Sequence, residues 1–250
     1  MVAWDTAAVD DLELERVAAA GWPGLETRWL GDWRLRAGRG FTGRANSALP
    51  LGSPGRPVGE ALTAVAGWYG QRGLPAMLQV PLPVRAELVR PLEDAGFVRG
   101  HGARVLTASV SSVAEAVRTD LPAIEWAAAP DDGWLSLYHY RGGDLPDSAV
   151  PVLVAGADVR FGTLRIDGAV AGICRTSSAS GWLGLTAVEV SPVFRRQGLA
   201  THLLRSAAAR TDAEGVYLQV EHGNATALAL YARCGFTVHH EYFYWRLDAL

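Results

Sequence analysis

The chain has 250 residues, 49% hydrophobic and 20% charged, with a formal net charge of −3. That balance excludes a disordered chain and leaves no basic footprint for nucleic acid or an anionic membrane surface. All of its 23 Lys/Arg positions are Arg, to which no mechanism is attached. In chain order, the periodicity predicts a helix near 6–20, then strands near 26–36 and 43–51. A Gly/Pro loop (GSPGRPVGE) leads to a helix near 59–72, a strand at 76–80, a helix at 83–95 and strands at 97–109. The second part starts with helical signals near 130–140 and strands near 158–166, 169–178 and 181–190. A helix at 198–212, a strand at 215–221, a helix at 225–234 and a strand at 236–247 complete it. Short turns such as Asp167-Gly168 link the middle strands. The expected class is therefore α/β with a mixed, mostly antiparallel sheet flanked by helices.

The two parts echo each other. Arg56-Pro57-Val58-Gly59-Glu60-Ala61 and Arg195-Arg196-Gln197-Gly198-Leu199-Ala200 lie 139 positions apart, as do Gly96-Phe97 and Gly235-Phe236. Leu78-Gln79-Val80 and Leu218-Gln219-Val220 lie 140 apart. A duplicated unit is expected, with domains at 1–118 and 119–250 divided at the polar Thr119–Pro122 segment. Cys174 and Cys234 show no metal-ligand spacing and are expected as reduced thiols. The acidic start MVAWDTAAVDDLELERV has no signal-peptide pattern and no segment has the length of a membrane span, so a cytoplasmic protein is expected.

VEVSPVFRRQGLATHLL, residues 188–204, joins a buried strand to a helix. Pro192 cannot continue a central strand, and Leu199, Leu203 and Leu204 share a helix face. Arg195, Arg196 and Gly198 thus occupy a loop that becomes the first turn. There, main-chain N–H groups lack partners and carry the positive end of the helix dipole. A glycine admits a large anion and arginines supply forked donors, so the loop reads as a pyrophosphate cradle or as an ordinary helix start. EHGNATALALYARCGF, residues 221–236, adds Asn224 as an N-cap, Ala227, Leu230 and Tyr231 on one face, and Gly235 at the helix end.

Together the two stretches resemble the GNAT acetyltransferase superfamily. The first matches its Arg/Gln-x-x-Gly-x-Gly/Ala loop at Arg195, Gly198 and Ala200. The second matches its Asn-x-x-Ala-x-x-Leu-Tyr-x-x-x-Gly-Phe segment at Asn224, Ala227, Leu230, Tyr231, Gly235 and Phe236. The likeness covers residues 120–250, and the doubled layout resembles tandem-domain members. It implies two tandem GNAT-like domains and direct transfer of acetyl from acetyl-CoA, as co-substrate, to a primary amine. In that picture the strand ending at Val190 bulges and splays from strand 216–221, and Val188 and Val190 pair with the pantetheine arm. Main-chain N–H groups of Arg196, Gln197, Gly198, Leu199, Ala200 and Thr201 hold the pyrophosphate, with Arg195 and Arg196 near phosphates. Asn224 and Ala227 lie beside the cofactor arm, and Tyr231 is the general acid for the departing thiolate. The base is open. Gly184 and Thr186 cannot serve. Glu189, which needs near-complete burial and a bulge to re-aim it, Glu221, a water chain or a pre-deprotonated amine are the candidates.

The first half departs from the motif. Asn224 maps to Arg85, Tyr231 to Leu92 and Leu199 to Glu60, and Pro57 enters the would-be cradle. It is expected to be a degenerate copy that walls the acceptor pocket. GRGFTGRANS, residues 38–47, reads equally as an acceptor contact through Arg44 and Asn46 or as a tight turn. His101, His139, His202, His222, His239 and His240 show no ligand spacing, so no metal is expected. Trp68, Trp182 and Trp245 are expected in the core. The acceptor is expected to be a small amine or a peptide N-terminus, with no nucleic acid or membrane partner, and the protein a monomer or homodimer. An acyl-CoA-binding regulatory or scaffold module is the alternative. A nucleotide site is weaker, since no Lys follows the glycine.

Overall fold

The computed structural model describes residues 9–115, 118–138 and 143–247. The start of the first expected helix, the last residues of the 130–140 helix and His139 lie outside these ranges. Helix α1 (Asp11–Gly21) opens the described chain, and Asp10 caps it by accepting from Leu12 N and Glu13 N. Strands β1 (Glu26–Leu30) and β2 (Trp33–Ala37) form a hairpin where one longer strand was expected. A 3-10 turn, Arg44–Asn46, takes the start of the expected 43–51 strand and leaves only β3 (Ala48–Pro50). Helix α2 (Val58–Gly70), β4 (Ala76–Leu82), α3 (Val89–Asp94) and β5 (Val98–Ser109) follow.

After α4 (Val110–Ala114) come β6 (Glu125–Ala127), α5 (Asp132–Leu137) and α6 (Ala149–Val154). The antiparallel β7 (Arg160–Ile166), β8 (Ala169–Ala179) and β9 (Trp182–Val190) precede α7 (Leu199–Ala208). Strand β10 (Gly215–Glu221), α8 (Ala225–Arg233) and β11 (Thr237–Leu247) complete the described chain. Elements α4, α6 and β6 have no counterpart in the sequence reading. Runs of three to six residues are too short to display a period.

One eleven-stranded sheet contains every strand of the described residues, in the order β1-β2-β3-β4-β11-β5-β10-β9-β8-β7-β6. The order is nearly symmetric about the antiparallel β11–β5 pair. Outward on one side lie β4, β3, β2 and β1; on the other lie β10, β9, β8 and β7. Pairing senses match as well, since β3–β4 and β9–β10 are both parallel. The duplication read from the 139-residue offset is thus present as a doubled mixed α/β layout. The halves exchange strands: β5 of the first pairs with β10 of the second, and β11 of the second pairs with β4 of the first.

Helices cover both faces. On one face α2 and α3 bury Leu62, Val65 and Leu92 against β4, and α7 and α8 bury Leu204, Ala207 and Tyr231 against β9 and β10. On the other, α1 lays Leu14 and Val17 across Ala103, Val105, Tyr217 and Tyr242, spanning the seam. Each fully buried leucine contributes about 1.5–3 kcal/mol of transfer free energy, which is what holds the layers. Trp68, Trp182 and Trp245 are all buried, as expected, and both cysteines are free and buried. Among the described residues no helix is long and apolar enough to cross a membrane.

Candidate active site

Strands β9 and β10 run parallel and stay paired only from Trp182↔Gly215 to Leu185↔Leu218. Beyond that point β9 follows β8 instead. Arg175 pairs with Thr186 and Ile173 with Glu189, so Ala187 and Val188 share the single partner Cys174. Ala187 takes a left-handed φ of 51° to make this bulge. The bulge turns the end of β9 away, and a gap opens between residues 186–190 of β9 and 219–221 of β10.

The mouth of the gap is the arginine-glycine loop. After a 3-10 turn at Pro192–Phe194, Arg196 (φ 66°) and Gly198 (φ 77°) are left-handed, and α7 starts at Leu199. Gly198 is the N-cap and supplies no side-chain acceptor. The amides of Leu199, Ala200 and Thr201 in the first turn have no intrahelical acceptor by the geometry of an α-helix. With a glycine at the N-cap these first-turn amides stay open to an anion. Buried Leu199 anchors the turn against Leu164 and Leu203. Arg195, Arg196 and Gln197 are exposed at the rim. Arg118, which the sequence reading missed, donates to the Gln197 carbonyl at 2.9 Å and lies 3.3 Å from where a Gly198 Cβ would stand. Its 79-residue separation in sequence left no local signal.

The far wall is α8. Asn224 caps it by accepting from Ala227 N at 3.1 Å, so its carboxamide oxygen is engaged in the cap. Tyr231, Ala227 and Val188 pack in one cluster, which brings three of the expected site residues together from two helix turns and a strand. The Tyr231 ring meets Phe236 edge-on at 5.8 Å. Burial, then the nearby Cys234 thiol, push its phenol up to about 12, so it holds its proton at neutral pH. Cys234 Sγ reaches Thr201 Oγ1 at 3.9 Å, tying the end of α8 to the cradle turn. Val190 packs with Leu199 on the same side of β9 as Val188.

Glu189 lies on the opposite side, paired with Ile173, and is half-buried rather than nearly buried as its use as a base required. Glu189 lines neither of the two cavities beside β10, the larger of which, about 670 Å³, is bounded by Gly40, Thr42, Gly43, Asn46, His101, Glu221 and Tyr244. A contiguous recess of about 260 Å³ adds Arg44, Tyr138, Gln219 and Tyr242. Gln219 and Glu221 belong to β10 beyond its last pair with β9, so the cavity borders the gap.

Loop 38–47 of the first half supplies one wall, and its two candidate contacts separate. Asn46 is buried and staples the loop: its Oδ1 accepts from Gly38 N and Gly40 N, and its Nδ2 donates to Phe41 O and Thr42 O. Arg44 lines the cavity, donates to Gln219 Oε1 at 3.0 Å and lies over the Trp22 ring. A second arginine, Arg175, also lies over the Trp22 ring; it is fully buried and donates to the carbonyls of Leu153, Ala155 and Gly21. Burial, then Arg44, lower its guanidinium to about 9, so it stays charged at neutral pH. Sequence reading missed Arg175, because a mid-strand arginine declares its burial only through acceptors on distant segments.

The equivalent places in the first half are filled by the chain itself. Loop 52–55 is held by Asp32, which accepts from Ser53 N, and its Gly52 carbonyl accepts from Trp33 Nε1 and Arg85 Nη2. Glu60 sits in the first turn of α2 and Leu92 is fully buried.

The sequence family described as probable histone acetyltransferase Rv0428c C-terminal matches residues 6–245. A Mycobacterium tuberculosis (strain ATCC 25618 / H37Rv) protein named probable histone acetyltransferase Rv0428c is 34% identical over 237 residues, 91% of this chain and 70% of its own. A GCN5-related N-acetyltransferase from Kribbella flavida has the same fold at TM-score 0.71 and 14% identity over 96% of both chains. A tandem GNAT protein from the clavulanic acid biosynthesis pathway does so at TM-score 0.59 and 15% identity, over 80% of this chain and 74% of its own. With the splayed strands and glycine-capped helix already in place, these likenesses make the chain a GNAT-type acetyltransferase, a member of the Rv0428c C-terminal family.

Proposed function

We propose that residues 119–250 transfer acetyl directly from acetyl-CoA to a primary amine, and that residues 1–118 are a degenerate copy that walls the acceptor cavity. One observation carries the reading: the gap between β9 and β10 ends on a helix capped by Gly198 with no side-chain acceptor. The first-turn amides from Leu199 to Thr201, with those of Arg196, Gln197 and Gly198, hold the diphosphate, and Arg195 and Arg196 lie near its charge. Main-chain groups at Val188 and Val190 pair with the carrier's arm, beside Ala227 and the Asn224 cap. The Val190 N–H faces the thioester oxygen, a contact worth about 3 kcal/mol in comparable sites. Tyr231 returns a proton to the sulfur. The filled loop 52–55 supports the degenerate reading of the first half. Loop 38–47 supports its role as a wall.

Release of free thiol from acetyl-CoA is the test, with polyamines, amino acids and a lysine-bearing peptide as acceptors. Acceptor-dependent release is expected with at least one class. Tight acetyl-CoA binding with no release across the panel would instead establish a binding module with little turnover. For the base the candidates are Glu189, Glu221, a water chain or an already neutral amine. Of the two carboxylates, Glu221 lines the cavity. Glu189→Gln and Glu221→Gln are compared by pH–rate profile, and the variant that loses its acidic limb marks the base. Profiles that keep this limb in both would leave deprotonation to water or to an already neutral amine.

A further inference from the structure

Successive residues of a regular strand point to opposite faces, so His239 and His240 should not meet. Strand β11 breaks the alternation. Val238 pairs with Leu106 and His240 with the adjacent Val105, which makes His239 the extra residue of a bulge. The two Nδ1 atoms consequently lie 2.9 Å apart. Asp11, in the first turn of α1, completes a triangle: its Oδ1 is 3.3 Å from His239 Nδ1 and 3.8 Å from His240 Nδ1.

The outer nitrogens of both rings are already engaged. His239 Nε2 lies 2.9 Å from the Val9 carbonyl, which can only accept. His240 Nε2 lies 3.0 Å from Glu15 Oε1, while Glu15 Oε2 accepts from Gln79 Nε2 at 2.8 Å. Gln79 accepts in turn from the buried Arg36. These partners assign the ring hydrogens to both Nε2 atoms. In the neutral rings both Nδ1 atoms then present lone pairs to each other and to a carboxylate oxygen. Three acceptors in a buried triangle repel unless a cation joins them.

A triangle with sides of 2.9, 3.3 and 3.8 Å has its equidistant point about 2.0 Å from each corner, the length of a zinc–nitrogen or zinc–oxygen bond. The outer contacts also fit, because metal-bound histidines donate their second N–H to a carboxylate or a carbonyl. The His239 and His240 side chains are 6% and 1% exposed, and Asp11 is 23% exposed. A cavity of about 310 Å³ beside Val9, Asp11, Thr107 and His239 provides an entry path and room for a fourth, water ligand.

We propose that Asp11, His239 and His240 bind one zinc-class divalent cation, with Glu15 and the Val9 carbonyl orienting the two rings. The ion clamps α1 of the first half to β11, the strand contributed by the second. It is a structural site, separate from the acetyl-transfer chemistry.

Full-length protein dialysed against chelator is titrated with Zn²⁺ by calorimetry and with Co²⁺ by visible absorption. One Zn²⁺ per chain, Co²⁺ ligand-field bands and a Zn²⁺-dependent rise in Tm are expected. Asp11→Asn, which alters the most exposed ligand, is expected to weaken Zn²⁺ binding at least about tenfold and to abolish the rise in Tm. His239→Gln gives the same loss independently. Wild-type protein that takes up no Zn²⁺ overturns the proposal, as does binding that both variants retain. In the first case a ring proton alone relieves the triangle.

Discussion

Tyr231→Phe is expected to lower turnover by about 10²–10⁴-fold, the range for losing a positioned proton donor, while the affinity for acetyl-CoA stays nearly unchanged. The substitution removes one hydroxyl and keeps the ring that meets Phe236 and fills the cluster under α7 and α8. Folding stability should not fall, since a buried hydroxyl is deleted rather than a packed ring. The phenol is a donor only while protonated. With its pKa raised to about 12, that form prevails across the neutral range and is lost only as pH climbs toward that value. The wild-type rate should therefore show no loss assignable to Tyr231 near neutrality, and the variant should run low at every pH rather than shift its limbs. Single-turnover measurement with saturating acetyl-CoA separates this from a binding defect. Equal turnover in the variant removes Tyr231 as the acid.

The second large effect concerns folding. Residues 119–250 expressed alone are expected not to give a stable monomer, although they contain both motif stretches. In the whole chain β10 pairs with β5 along seven registered positions, from Gly215↔Ser109 to Glu221↔Ala103. Both neighbours of β11, β4 and β5, belong to the first half. The fragment would expose the β10 edge, and the eleven-residue β11 would have neither partner. An unpaired edge of that length invites aggregation. Co-expression with residues 1–118 should restore both ladders and a single cooperative transition. Size exclusion and thermal unfolding followed by circular dichroism decide the matter. A monomeric fragment that melts cooperatively by itself would show that β11 can serve its own half.

These two expectations differ in where their warrant lies. Tyr231 was visible as a residue on a helix face four positions before Gly235, because helix period and glycine termination are local properties. The same holds for Asn224 as a cap and for Gly198 at the start of α7. The repeat at 139 positions was equally plain, since duplication leaves its trace along the chain. Neighbour choice in the sheet was not visible. Strands β5 and β11 have similar alternation and similar length, and nothing in either states which half will receive it.

The polar residues show the same division. Asn46 and Arg44 stood in one loop with equal standing, and the fold made one a staple and the other a cavity wall. The sequence did not show the role of Arg175 or Arg118, because the carbonyls that hold them in place belong to the distant residues 21, 153, 155 and 197. His239 and His240 showed no ligand spacing in the sequence, and a one-residue bulge against β5 brings their Nδ1 atoms to 2.9 Å. From its sequence alone this chain shows a doubled α/β pattern, a helix that starts at Gly198 and a capped helix that carries Tyr231, since each helix signal is written within about one helix length. Strand exchange and the meeting of α1 with β11 were decided only by the tertiary structure. Each depends on which distant backbone supplies the hydrogen-bond partner, and that is a property of the assembled sheet.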